Sequence, residues 1–399
     1  MANSLLTIDM ITRKSLEILE NNLVISRNCN RQYDDSFAVQ GAKIGSTLRI
    51  RLPDRALVTD GAALQVQDDN EQYTTLSVAS QKHIGINFTS AELTMQLDDF
   101  AERVLKPRIS QLASSIDADV ATAYKSIYNS VGTPGTTPGT SLVLLQAQQK
   151  LNEFATPMSP RYATVNPAAN AGLVEGMKGL FNPTDTVSRQ FKNGMMGTGV
   201  LGFDEINMSQ SIGMHTTGAW GTTITSTGTL STQGQATLPI SFTGSGKTWK
   251  QGDVFTIAGV YAVNPQTRQS TGSLQQFVVT ADLTASSTGT LSISPAIYTA
   301  DHALATVDSF PQATAVVTML GSASTQYAQN LSYHKDAITL ATADLLLPQG
   351  VDMASRQTHN GISMRIVRQY DINNDRMPCR VDVLYGYAAI RPSMATRIW

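Results

Sequence analysis

The chain has 399 residues, is 41% apolar and 15% charged, and carries a formal net charge of -2. Its length predicts two or three domains, and its apolar content excludes a disordered chain. Near-neutrality argues against a dedicated nucleic-acid binder, which needs a basic stripe to neutralise phosphates, and suits a protein that associates with copies of itself.

The N-terminal run Met1-Ala2-Asn3-Ser4-Leu5-Leu6 lacks a basic segment followed by an apolar one, so no export signal is expected. Residues 8–21 predict a short helix, with Thr7 as N-cap and Ile8, Ile11, Leu16 and Leu19 near helical spacing. The polar stretch to Asp35 reads as an arm more than a packed element. Residues 46–88 read as β: in 47–53, Leu48, Ile50 and Leu52 alternate with Arg49 and Arg51. Further strands are expected at 74–78 and 83–88. The polar excursion between them carries Asp68-Asp69-Asn70-Glu71, the acidic tip of a long hairpin.

Residues 97–130 give the clearest helix. Ile109, Leu112, Ile116, Val120, Ala123 and Ile127 follow in steps of 3 or 4. Pro107 lies inside the pattern and either kinks the helix or marks its start. The breaker run from Val131 to Gly139 stops it. Helices near 142–154 and 168–180 flank a strand at 162–165, and a Gly-rich passage, 194–202, leads into Phe203-Asp204-Glu205.

A compositional break follows. Residues 206–246 contain no Asp, Glu, Lys or Arg. The 108 residues from Gly218 to Thr325 hold seven charged side chains: Lys247, Lys250, Asp253, Arg268, Asp282, Asp301 and Asp308. Short turn-punctuated strands at 254–258, 276–280, 290–294 and 315–319, with no helical period, predict a small antiparallel barrel or sandwich inserted into an α/β host. The host resumes with strands at 337–341, 362–367 and 380–389. The last two form a hairpin through 371–378.

No catalytic motif emerges. Gly244-Ser245-Gly246-Lys247-Thr248 resembles the end of a phosphate loop, but Ser241 stands where the first Gly belongs and a strand follows instead of a helix. Asp371, Asn373 and Asp375 open like a calcium loop, yet Arg376 replaces its Gly and Asp382 its Glu. Cys29 and Cys379 make no disulfide or zinc framework and fit a reducing cytoplasm. The five histidines stand far apart. No run approaches the roughly 18 apolar residues of a membrane span. Arg49, Arg51 and Arg55 cluster on the hairpin, either as a solvated strand face or as partners of acidic groups on a neighbouring copy.

The order of these elements resembles the major capsid proteins of tailed bacteriophages, with their Hong Kong 97-like α+β fold. It is most similar to short-tailed phage coat proteins that carry an inserted β-barrel. The stretches that carry the resemblance are Gly202-Phe203-Asp204-Glu205 and Lys250-Gln251-Gly252-Asp253-Val254-Phe255, followed by Tyr333-His334-Lys335-Asp336-Ala337-Ile338 and the run from Cys379 to Pro392. Their order spans nearly the whole chain. The resemblance implies an N-terminal helix and arm (1–36), an extended β loop over the adjacent subunit (37–90) and a peripheral domain with its spine helix (91–139). It implies an axial domain (140–217 and 326–360) interrupted by the barrel (218–325), and a C-terminal peripheral hairpin (361–399). It implies self-assembly of hexamers and pentamers into an icosahedral virion shell in the host cytoplasm. Expected partners are a scaffolding protein, a portal, a decoration protein and packaged double-stranded DNA held without sequence-specific contacts. No catalytic residue, metal or cofactor is implied, and no position matches those that crosslink subunits in some relatives, so a non-covalent shell is expected. Arg49, Arg51, Arg55, Asp68, Asp69 and Glu71 are the contact candidates. The rival readings are another phage structural protein, such as a fibre or decoration protein, and an enzyme with a barrel accessory.

Overall fold

The computed structural model describes residues 8–31, 46–59, 61, 62, 64, 66, 72–88, 101–176, 194, 196–228, 230–372 and 377–399. Thr7 lies outside them. The chain divides into two compact units: Met1–Ile50, Thr74–Ala121 and Ile338–Ala388 form one, and Arg51–Tyr73, Thr122–Ala337 and Ala389–Trp399 the other.

In the first unit, helix α1 (Ile8–Asn22) buries Ile11, Leu16 and Leu19 as its spacing predicts. Residues 23–31 correct the expectation of an arm. They turn through a 3-10 segment, Ser26–Asn28, and bury Leu23, Ile25 and Cys29. The cause lies 91 positions away. Asp117 Oδ1 accepts from the Ser26 amide and hydroxyl (3.0 and 2.5 Å), and Oδ2 from the Val24 amide (2.6 Å). A buried carboxylate with that many donors fixes a polar segment that has no periodicity of its own.

Asp117 belongs to helix α2 (Lys106–Ala121), whose apolar stripe is fully buried. A π-helical turn, Ala101–Leu105, precedes it, so Pro107 sits at the start of the regular helix, where its missing N–H costs nothing. The helix stops short of residue 130. It tightens to 3-10 at Thr122–Ser126, and Ser130–Val131 joins a sheet beside Ala395–Ile398 instead.

The sheet of the first unit places Met377–Ala389 beside Ile362–Arg368 on one edge and Ser80–Phe88 on the other, all antiparallel. Met353–His359 extends it. Val381, Val383 and Tyr385 alternate on its buried face. Ser46–Arg51 and Tyr73–Val78 form a separate two-stranded ribbon.

In the second unit, helices α3 (Ser141–Glu153) and α4 (Pro167–Gly176) cover one face of a mixed sheet. Its order is Ser130–Val131, Ala395–Ile398, Asn330–His334, Arg161–Val165, Phe203–Met208, Gly197–Val200. Leu144, Leu151, Val165, Leu173, Ile206 and Ile398 fill the space between. The last two strands turn on Leu201 (φ 52°) and Gly202 (φ 77°), two left-handed residues in a row, as a tight hairpin requires.

Met214–Thr216 pairs antiparallel with Gln326–Ala328. Between them runs a six-stranded sheet: Val317–Met319, Val254–Val263, Ser270–Val279, Thr288–Ile297, Gln235–Thr243, Thr222–Ser226. A bridge between Thr225 and Val316, with the Ser226 amide on the Ala315 carbonyl (2.9 Å), ties its two edges together. The sheet is therefore a closed barrel, which leaves no free edge to template a wrong pairing. Leu238, Ile240, Phe242, Trp249, Phe255, Phe277 and Leu291 fill it. Phe242 and Trp249 meet edge to face at 4.7 Å.

Candidate functional site

The second unit concentrates its buried charge where the barrel meets the α/β layer. Asp253 precedes the barrel strand Val254–Val263 and is buried. Its Oδ1 lies 2.9 Å from His215 Nε2, and its Oδ2 accepts from the amides of Gly218 (3.1 Å) and Lys250 (2.8 Å). A carboxylate accepts only, so it fixes the proton on Nε2. That leaves His215 Nδ1 to accept from the Tyr124 hydroxyl at 3.3 Å. Arg397, from the C-terminal strand, donates through Nη1 to the Gly252 carbonyl (2.7 Å) and lies 5.2 Å over the Tyr124 ring. Burial lowers the Arg397 guanidinium to about 9, against the pull of Tyr124 and Asp253. One charged cluster thus joins the start of the barrel segment and its turn at 250–253 to the last strand of the chain.

Three further ties reach across the same junction. The Gln276 side-chain amide pairs with both backbone groups of Ser130 (2.6 and 3.0 Å), acting as an extra strand residue. Asn264 Nδ2 donates to the Glu153 carbonyl at 2.8 Å, and Lys150 Nζ to Ser273 Oγ at 3.1 Å. Tyr128 and Phe154 pack against Val254, Ala262 and Val278.

In the first unit, α2 is clamped to its sheet. Lys82 Nζ reaches Asp119 (2.7 Å), Ser115 Oγ (2.7 Å) and the Ser115 carbonyl (3.0 Å). The Tyr385 hydroxyl donates to the same Asp119 carboxylate.

Among the contact candidates, Arg49 and Arg51 lie exposed on the strand Ser46–Arg51, and Arg55 is exposed in the loop that follows. Arg55 stands near enough to Tyr128 to oppose the burial that pushes that phenol up to about 12. Asp68, Asp69 and Glu71 lie outside the described residues, so no structural pairing of the two sets is assigned. Asn373, Asp375 and Arg376 of the calcium-like loop lie outside them too. The phosphate-loop-like segment leads into the strand Lys247–Trp249, paired with Leu283–Ala285. Among the described residues, no group of three or more His, Cys, Asp or Glu is placed to hold a metal ion, and no helix is long and apolar enough to cross a membrane.

Sequence reasoning gave no role to Asp253, His215 and Arg397, and weighed Asp382 only as the last position of a calcium-like loop. The first had a signal: it is one of seven charges in 108 residues and stands directly before a strand. His215 and Arg397 carry none, because their partners are distant in sequence.

The chain is thus an α+β host with a barrel keyed into it by structural side chains, and with charged and apolar groups presented on an exposed loop. Comparison with known proteins gives the particular family. A family model described as "P22 coat protein - gene protein 5" matches residues 1–397, and the chain belongs to that family. A major capsid protein of Acyrthosiphon pisum secondary endosymbiont phage 1 is 22% identical over 332 residues, covering 78% of this chain and 77% of that protein. A structure of Mycobacterium phage Che8 aligns over 94% of this chain and 90% of its own, at 11% identity and a TM-score of 0.47. The mature capsid of bacteriophage PhiM1 aligns over 90% and 83%, at 12% identity and a TM-score of 0.40. The protein is a phage major capsid protein and a component of the virion.

Proposed function

We propose that copies of this chain close non-covalently into an icosahedral shell of hexamers and pentamers. In this reading the shell assembles in the bacterial cytoplasm around a scaffolding protein and a portal, belongs to a short-tailed phage, and holds double-stranded DNA without reading its sequence. A decoration protein would find the barrel, residues 218–325, on the outer face. The chain acts by binding alone, with no catalytic step. The extended loop, residues 37–90, overlies the adjacent subunit.

The observation that carries this reading is the exposed apolar content of that loop. Val58 is 93% exposed, Leu64 89% and Val66 84%. Large apolar side chains gathered on one exposed segment mark a surface that another molecule covers. Arg49, Arg51 and Arg55 precede them in the sequence and supply register, because charge across an interface selects partner and orientation more than it adds affinity. Shells need many modest contacts. Each 1.4 kcal/mol changes an association constant about tenfold, so weak repeated contacts sum steeply over a closed lattice.

Negative-stain microscopy of purified protein, alone and with its scaffolding protein, tests the proposal. Hexamers, pentamers or shells that run as monomers on a denaturing gel are the expected result. Fibres or monomers alone would refute it. Arg51→Glu should impair association while the circular dichroism of the monomer stays unchanged.

A further inference from the structure

The sheet of the first unit carries a charged site that none of the preceding contacts uses. On the face opposite Val381 and Val383, a cavity of about 430 Å³ is lined by His83, Gly85, Arg365, Gln369, Arg380 and Asp382, among others. The pairing register builds it. Arg365 faces Asp382, which in turn faces His83, while Gly85 faces Arg380.

Asp382 forms the floor and is fully buried. Its two oxygens accept from Arg365 Nη2 and Arg380 Nε, each at 2.6 Å. Two guanidiniums over one carboxylate leave one formal positive charge. Arg365 is held further by Nη1 on the Leu346 carbonyl (2.6 Å), and its Nε is buried with no partner among the described residues. Arg380 is half exposed, and Asp382 is its only partner among those residues. Its terminal nitrogens therefore remain available as a planar, preoriented pair of donors. Gly85, across from it, leaves open space: a Cβ added there would touch nothing within 4 Å.

A locked guanidinium fork beside an open cavity fits a carboxylate or a phosphate held by two parallel hydrogen bonds. A duplex would need cations strung along a stripe. Here the charge is confined to one concavity, which suits a single inserted side chain. The densest acidic run of the chain is Asp68-Asp69-Asn70-Glu71, with three carboxylates in four residues. We infer that this cavity receives a carboxylate from the run Asp68–Glu71 of a second copy, with Arg380 as the receiving group. The inference rests on the self-assembly reading and adds the receptor for its acidic segment.

Unassembled protein is titrated with a fluorescent peptide of residues 64–73, and with the same peptide carrying Asn or Gln in place of its three acids. The native peptide should bind, weaken with salt, and bind at least about tenfold better than the neutral one. Arg380→Gln should remove that preference. Gly85→Asp should remove it too, by placing the chain's own carboxylate in the cavity, and its open surroundings keep the fold intact if Arg380→Gln does not. In assembly, Arg380→Glu should block shell formation and Asp69→Arg should restore it. Equal binding of both peptides, or a preference that survives Arg380→Gln and Gly85→Asp, overturns the inference. So does loss of affinity for a short DNA duplex but not for the peptide. In each of these outcomes wild-type shells would still form, so the assembly reading fails or stands on its own microscopy.

Discussion

Asparagine in place of Asp253 tests whether the barrel is keyed into the α/β layer by that carboxylate. Asp253 accepts three hydrogen bonds, from His215 Nε2 and the amides of Gly218 and Lys250. Asparagine has nearly the same shape but one acceptor oxygen. If the oxygen serves His215, its NH2 faces two backbone donors; if it serves the amides, its NH2 faces the imidazole N–H. Either way at least one buried donor is orphaned, at about 1–3 kcal/mol, and the surviving bonds lose their charge assistance. The sum is about 3 kcal/mol, one orphaned buried donor plus the weakening of the bonds that survive. Urea unfolding of unassembled protein, read by tryptophan fluorescence, should shift to lower denaturant by about 1 M, taking a slope of about 3 kcal/mol/M. Trp249 is a direct reporter, being fully buried in the barrel. In a His215→Ala background the same substitution should cost less by about 1 kcal/mol or more, because the two side chains share one interaction. A midpoint shift under about 0.2 M, or additive effects of the two substitutions, would refute the reasoning.

Tyr385→Phe removes the hydroxyl that donates to Asp119 and should lower stability by about 1 kcal/mol, seen as a drop in thermal midpoint with unchanged far-ultraviolet circular dichroism. His334→Gln should flatten a pH dependence. Burial holds His334 below its ordinary value, against the nearby Asp336 and with help from Arg161 and Arg391. The unfolded chain takes up the proton near pH 6.5 while the native state resists it. The stability is therefore fully present above about pH 6.5 and is lost as pH falls through the lowered native value, a slope the glutamine variant should lack. Leu64→Ser with Val66→Ser should leave monomer stability within about 0.5 kcal/mol, since both side chains are exposed. It should raise the concentration needed for shell formation at least about tenfold, as light scattering would show, because each loses about 1.5–3 kcal/mol of burial in the contact.

Much of this fold was legible because its strongest elements carry their own periodicity. The stripe from Ile109 to Val120 is buried along its whole length, and the sequence needs no partner to show it. The strands Thr222–Ser226 and Gln235–Thr243 were not legible. Both fall inside the expected barrel but no strand was placed there, because the first is nearly all Ser and Thr and the second carries Pro239 within its Leu238, Ile240 and Phe242 alternation; the bridge from Thr225 to Val316 that closes the barrel leaves no local trace. Residues 23–31 failed for a related reason: the donors are backbone amides, and the acceptor, Asp117, belongs to a helix far along the chain. Sites fared worse than elements. Asp382 sits in a strand whose alternation was recognised, yet its importance comes from two arginines on the same face, one of them across a strand pair.

The charge-poor segment shows how composition and assembly connect. Five of its seven charges act on fixed partners. Asp253 holds the junction, Asp308 accepts from the Tyr261 amide (2.8 Å), Lys250 pairs with Asp282 (2.9 Å), and Arg268 donates to the Ala56 carbonyl (3.3 Å). Beyond these and Lys247 and Asp301, hydroxyls and amides make up most of the polar surface of the barrel. A closed shell places the same surface in several slightly different settings. A fixed charge would be well paired in one setting and stranded in another, and truncating or misplacing one member of a close pair costs several kcal/mol. Hydroxyls rotate to donate or accept and are solvated cheaply when they do neither. A barrel locked internally by apolar packing and at its root by Asp253, but nearly uncharged outside, can therefore be rigid in itself and tolerant of its neighbours.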